Sequence, residues 1–172
     1  SILLLLFIPI SLAAQQVVKK LNYQLTIPDY MTSTDELNDE ASLQYENINL
    51  ETYVLVIDES KQEFVDVFKE EGLYDNDRSV IENYTDVQVK SFKSFVSVFK
   101  KLKPKSAQIN GCPAFFLEVE GRAEGIDYDI YYQLAFVEGK DSLYLVMSWT
   151  LLEYKKKYKK VYRKMLESFK EI

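Results

Sequence analysis

Of the five carboxylates in the segment "FFLEVEGRAEGIDYDI", four stand at alternating positions on either side of a Gly-containing turn: Glu118, Glu120, Asp127 and Asp129. If this segment is a hairpin, all four share one face of two paired strands, with Glu118 opposite Asp127. Like charges placed directly opposite are unfavourable, so the cluster asks for a counter-ion. Calcium, a hard cation that takes oxygen ligands, is the metal such a set would hold. The alternative is a solvated acidic face neutralised by Lys103, Lys105 or Arg122. Alternate strand positions hold these side chains apart, and no acidic calcium-loop pattern gathers them. A second cluster has the opposite sign. In "EYKKKYKKVYRKM", helical spacing places Lys155, Lys156, Lys159, Lys160 and Arg163 around an inward Tyr/Val stripe. Residues 153–172 hold eight Lys/Arg against three Asp/Glu, a net of +5, whereas the rest of the chain sums to −11. This basic face is either solvated or the contact surface for an anionic partner or lipid headgroups.

The chemistry of catalysis is poorly supplied. The chain contains no His, which removes the usual general base and the commonest metal ligand. Cys112 is the single cysteine, so no intramolecular disulfide forms, and as a nucleophile it lacks a His partner. No GxSxG elbow supports serine hydrolysis, and no spacing singles out a glycosidase pair among the acids. Asn83-Tyr84-Thr85 matches a glycosylation acceptor but falls inside an expected helix. The expectation is a non-enzymatic protein that uses no cofactor and binds no nucleic acid.

These residues need elements to hold them. "YQLTIPDYM" alternates and stops at Pro28, a short strand, and "SLQYENINLETYVLVIDES" reads as a hairpin turning near Asn47 to Asn49. Ser60 and Glu63 form a capping-box pattern ahead of a helix over 61–71. The step of three and four through Val80, Tyr84, Val87, Ser91, Phe95, Val98 and Leu102 predicts a long amphipathic helix over 78–102. Asn110-Gly111 is a strong two-residue hairpin signal. Matching apolar faces then sets Val119 opposite Ile126, Leu117 opposite Tyr128 and Phe115 opposite Ile130. The same logic places Phe136 opposite Leu143, Leu134 opposite Leu145, Tyr132 opposite Met147 and Ile130 opposite Trp149. The other face still carries Tyr131, Ala135, Val137, Tyr144 and Val146, so part of it must also be covered. Thr150 with Glu153 marks a second capping box, and Tyr154, Tyr158, Val161, Met165 and Phe169 the inner face of a closing helix. The class is α+β: a largely antiparallel sheet of about six to seven strands packed by helices.

The N-terminal "SILLLLFIPISLAAQQ" is too short to span a bilayer and fits the apolar core of a secretory signal, with cleavage after Ala13 or Ala14. The expectation is a signal segment over 1–14, one domain over 15–172, and a periplasmic or secreted monomer. The quoted strands, the hairpin "INGCPAFFLEVEG", the strand pair "IYYQLAFVEGKDSLYLVMSWT" and the closing "MLESFK" resemble the PsbP-like superfamily. That superfamily includes the photosystem extrinsic subunit, the Mog proteins that bind the Ran GTPase, and DcrB-like bacterial envelope proteins. The resemblance implies an α/β/α sandwich and a binding, adaptor or scaffold role with an unknown protein partner in the cell envelope. It carries over no contact residue, and the lipidated Cys of DcrB-like lipoproteins has no counterpart after the apolar run. A small-molecule or lipid carrier, with a cleft between the sheet and the long helix, is the alternative.

Overall fold

A computed structural model describes residues 14–172; of the signal segment expected over 1–14, residues 1–13 lie outside the described residues. Two short strands begin the described chain, β1 (Gln15–Lys19) and β2 (Tyr23–Pro28), paired antiparallel. Next come β3 (Thr32–Ser33), β4 (Leu43–Asn47) and β5 (Thr52–Ser60), where Asn47 caps the single helical turn that links β4 to β5. Ser60 accepts the Glu63 N–H and starts α1 (Lys61–Glu70), and a full capping box between Ser79 and Glu82 starts α2 (Val80–Phe95). β6 (Val96–Val98), β7 (Lys105–Ile109), β8 (Cys112–Ala123), β9 (Ile130–Glu138) and β10 (Ser142–Leu151) follow, then α3 (Lys155–Glu167) and β11 (Lys170–Glu171).

The large sheet has eight strands in the order β3-β4-β5-β10-β9-β8-β6, with β7 also on β8; β1, β2 and β11 form a small second sheet. All the pairings are antiparallel. α1 and α2 cover one face through Phe64, Ile81, Tyr84 and Phe92, which fill the space above Leu117, Tyr132, Leu134 and Phe136. α3 and the small sheet cover the other, with Tyr158, Tyr162 and Phe169 over Tyr131, Ala135 and Val137. The partial second cover expected from sequence is therefore a full layer, and eight of the nine β9 residues are buried. Burying each such large side chain contributes roughly 1.5–3 kcal/mol.

Several sequence expectations are corrected. The Asn110-Gly111 turn holds, with positive φ at both residues and Ala107 opposite Ala114. The next two registers keep their faces and lose their offsets. Val119 lies opposite Tyr132, Leu117 opposite Leu134 and Phe115 opposite Phe136, because β8 runs on to Ala123 and the connection loops out through residues 124–129. Ile126 and Tyr128, expected in the core, are 41% and 65% exposed there. Leu145 lies opposite Phe136 and Met147 opposite Leu134, since the tight turn sits on Lys140-Asp141, closed by the Gly139 N–H to the Ser142 carbonyl. An even slip leaves every side chain on its own face, so alternation alone cannot detect it.

Helix α2 ends at Phe95 rather than Leu102. Val96 and Val98 become a strand that pairs with Ala123 and Gly121, a role that suits β-branched side chains. Thr150 is no helix cap but a buried strand residue opposite Tyr131, and α3 starts at Lys155 with no side-chain cap. Its inner face runs through Tyr158, Tyr162, Met165 and Leu166, leaving Tyr154 exposed. Strands β1, β3, β6 and β11 are short additions that alternation did not single out.

Gly121 marks where β6 presses on β8: a Cβ there would stand 2.7 Å from both the Ser97 carbonyl oxygen and Val96 Cγ1. Gly121→Ala should lower stability by about 1–3 kcal/mol, read from the urea midpoint, whereas Ser97→Ala at the exposed neighbour should change it by under about 0.5 kcal/mol.

Candidate functional site: a basic groove between helix α3 and the sheet edge

Helix α3 places charge against its own dipole. Its first turn holds no acid and begins Lys155, Lys156, Lys157, at the end where backbone N–H groups already supply positive potential. The sheet supplies the compensation. Lys155 reaches the Glu120 carboxylate and lies over the Tyr131 ring, Lys159 donates to Glu118 at 2.8 Å, and the Arg163 guanidinium sits 3.6 Å from the Phe116 ring centroid. Four helical residues advance about 6 Å and two strand residues about 6.8 Å, so positions 155, 159 and 163 keep step with 120, 118 and 116. The result is a ladder of three rungs across α3 and β8. Gln133, buried beneath it on β9, donates to the Lys159 carbonyl at 2.8 Å and to the Tyr131 hydroxyl at 2.7 Å, and that hydroxyl donates to Glu118.

The facing wall comes from the sheet edge. β6 pairs with residues 121–123 of β8 and β7 with residues 112–116. Six residues, 99–104, therefore stand on the edge where β8 has four, 117–120. The surplus bulges outward, as insertions at sheet edges do. The Phe99 N–H pins the bulge to the Glu120 carbonyl, and Lys100 donates to the Glu120 carboxylate at 2.9 Å. Lys101, half-buried Leu102 and Lys103 follow, with Lys105 just beyond at the start of β7.

Between bulge and helix lies a groove of about 520 Å³. Lys100, Lys101, Lys103 and Lys105 line one side, Lys155, Lys159, Lys160 and Arg163 the other, and Glu118 and Glu120 the floor. Eight cations against two carboxylates make a local net of +6 in a chain whose total is −6. Among the described residues, Lys101, Lys103, Lys105 and Lys160 have no ion-pair partner. Burial pushes the Glu118 carboxyl up, but hydrogen bonds from Lys159 and Tyr131 and the charges of Lys159 and Lys155 outweigh it and hold it below the ordinary carboxylate range. Glu120 is held low by Lys155 first and Lys100 second. Burial pushes the Tyr131 hydroxyl up, which keeps it a donor.

The two clusters read from sequence thus meet each other. Glu118 lies opposite Gln133, not Asp127, and Glu120 opposite Tyr131. The four acids are not gathered: Asp129 accepts from Arg122, and Asp127 lines a separate depression with Phe95, Phe99 and Ile126. Lys103 and Lys105 do border the carboxylates, but Lys100, Lys155 and Lys159 are the ones that pair with them. Lys156 is exposed and lies off the groove. Lys100 and Lys101, which helical periodicity places inside the long helix, belong to the groove; the signal against that helix is "KKLKPK", where Pro104 and four lysines disagree with a helical interior.

Other candidates are committed elsewhere. Burial, then the charges of Glu171 and Glu138, push the half-buried Cys112 thiol up, which disfavours the nucleophilic thiolate. The nearly buried Asn83 amide accepts the Asp75 N–H and donates to the Asp75 and Ser79 carbonyls, so it ties down the loop before α2.

No family model matches the chain, and no curated protein matches it. Solved structures do. The cyanobacterial PsbP (CyanoP) of Synechocystis superposes with a TM-score of 0.59 at 10% identity, over 95% of this chain and 96% of that one. The Ran-binding protein Mog1p of Saccharomyces cerevisiae gives 0.55 at 9%, over 92% and 95%. LpqN of Mycobacterium tuberculosis, described as involved in cell envelope biogenesis, gives 0.53 at 9%, over 92% and 90%.

The lowered carboxyls set a sign for acid sensitivity. A carboxyl whose folded pKa lies below its unfolded value of about 4.3 adds stability that is present above that value and is lost as pH falls through the folded one. Between about pH 5 and pH 3 the wild type should therefore lose stability faster than the Glu118→Gln/Glu120→Gln variant, and the variant should be the less stable at pH 7. Urea titrations across that range check both.

Proposed function

We propose that this chain, which has the PsbP-like fold, is a non-catalytic, exported binding protein of the cell envelope that engages an anionic partner through the basic groove. One observation carries the reading. Segments about fifty residues apart in sequence bring eight cations to a single groove in an acidic protein, four of them without ion partners. A cluster of like charge is destabilising unless something compensates it, and fields focused in a cleft speed the arrival of an opposite charge. A name supports the envelope setting: LpqN is described as involved in cell envelope biogenesis. The apolar segment expected to direct export agrees with it. A binding role is in keeping with Mog1p, a Ran-binding protein. The missing His and the raised Cys112 thiol speak for a role without catalysis. The carrier alternative loses its cleft, since aromatic side chains of α1 and α2 fill the space above the sheet.

The test is site-specific photocrosslinking in the source cell's envelope, with the reactive group replacing exposed Lys101 or Lys160 and, as control, exposed Glu70 on α1. A discrete adduct at both groove positions, absent at Glu70 and lost in Lys103→Glu/Lys159→Glu, is the expected result. Equal labelling at all three positions would sink the assignment of the groove.

A further inference from the structure

The third rung of the ladder differs from the other two. On β8, positions 120 and 118 present carboxylates to Lys155 and Lys159, whereas position 116 presents a phenyl ring beneath Arg163. Lys105 lies directly opposite Phe116 across the β7–β8 pairing, and Lys160, which also lines the groove, stands three residues before Arg163 on α3, a spacing that makes the two neighbours on the helix surface. This end therefore gathers three cations and no strand carboxylate. Arg163 does touch Glu167, but that pair is an i,i+4 contact between half-exposed side chains, which solvent and salt screen and which contributes little. With its face on the ring, the guanidinium still has edge N–H groups, whose fork fits a carboxylate.

The floor narrows the choice of anion. Glu118 and Glu120 remain 42% and 18% exposed at the side chain, so a polymer with a charge on every unit would set charge after charge against them. Half-buried Leu102, together with lysine stems, adds apolar wall between the cationic rims. A ligand that alternates carboxylate with apolar groups matches both features.

We propose that the groove binds an acidic peptide segment of a partner protein: one of its carboxylates completes the third rung at Lys105, Lys160 and Arg163, and a neighbouring apolar side chain lies against Leu102 and the lysine stems. This rests on the groove being the working surface and adds the identity of what enters it. The carboxylate supplied by the partner stands where the strand's own sequence omits one.

Fluorescence anisotropy tests it, with the purified domain and a short labelled peptide of alternating Glu and Leu. Competitors are inorganic polyphosphate and phosphatidylglycerol vesicles. Binding should weaken with salt, fall roughly three- to tenfold in Lys105→Gln and again in Arg163→Gln, and stay unchanged in Lys156→Gln, whose side chain lies off the groove. Phe116→Glu, which would supply the missing carboxylate internally, should abolish binding; the Lys105 and Arg163 variants decide the matter if that variant does not fold. Peptide binding that ignores Lys105→Gln and Arg163→Gln overturns the third-rung assignment. Polyphosphate or vesicles that bind more tightly than the peptide, with the same dependence on Lys105 and Arg163, overturn the peptide while leaving the groove as the binding surface. No binding by any probe, when groove crosslinkers still capture an adduct, overturns the peptide class alone; silence in both experiments removes the groove as well.

Discussion

Strand β9 must be covered on both faces, and the remaining layers follow from that need. Its side chains alternate between Ile130, Tyr132, Leu134 and Phe136 on one side and Tyr131, Gln133, Ala135 and Val137 on the other, and neither set can be left to water. α2 answers the first set and α3, with the small sheet, the second. Gln133 is the exception in this apolar strand. Buried with its amide N–H groups spent on the α3 backbone and the Tyr131 hydroxyl, it sets the height at which the helix rests. A buried amide is tolerated when its N–H groups are bonded, and here those bonds also tie the helix to the sheet.

That position creates the groove. The α3 backbone lies over β9 and β10 rather than β8, so Glu118 and Glu120 of β8 stay partly open to solvent beside it. The edge then bulges away at residues 99–104 instead of closing over the gap. Such a bulge also blunts an edge that would otherwise template pairing with other chains. Lysines occupy both borders, and the carboxylates of β8 meet only part of their charge.

The charge arrangement runs against local preference at two places: three lysines in the first turn of α3, and a bulge that adds more beside them. Natural sequences accept such conflicts where binding requires them. Glu118 and Glu120 lessen the conflict: Glu120 holds Lys100 and Lys155, which would otherwise repel one another across the groove, and Glu118 holds Lys159. Their contribution to stability and the residual positive field arise from the same contacts.

Much of this was legible in the residues. Alternation assigned faces correctly within the strands, from Ala107 to Val119 and from Ile130 to Met147, because period two is a local property of an extended chain. The Asn110-Gly111 turn, the Ser60 cap and the PsbP-like order of elements were equally readable. The offset of each strand pair was not, because an even slip preserves every face; turn position and the reach of β8 toward β6 decided it. So four acids that looked like one cluster came apart, and two joined the lysines of α3. Helix periodicity also ran past Phe95, where the Val96 and Val98 pairing with β8 prevailed over a pattern equally at home in a helix. By itself the sequence determined which residues of a strand share a face and that acidic and basic segments exist. Only the tertiary structure decided that they meet, because contact between residues forty positions apart depends on register and layer order, which no local period encodes.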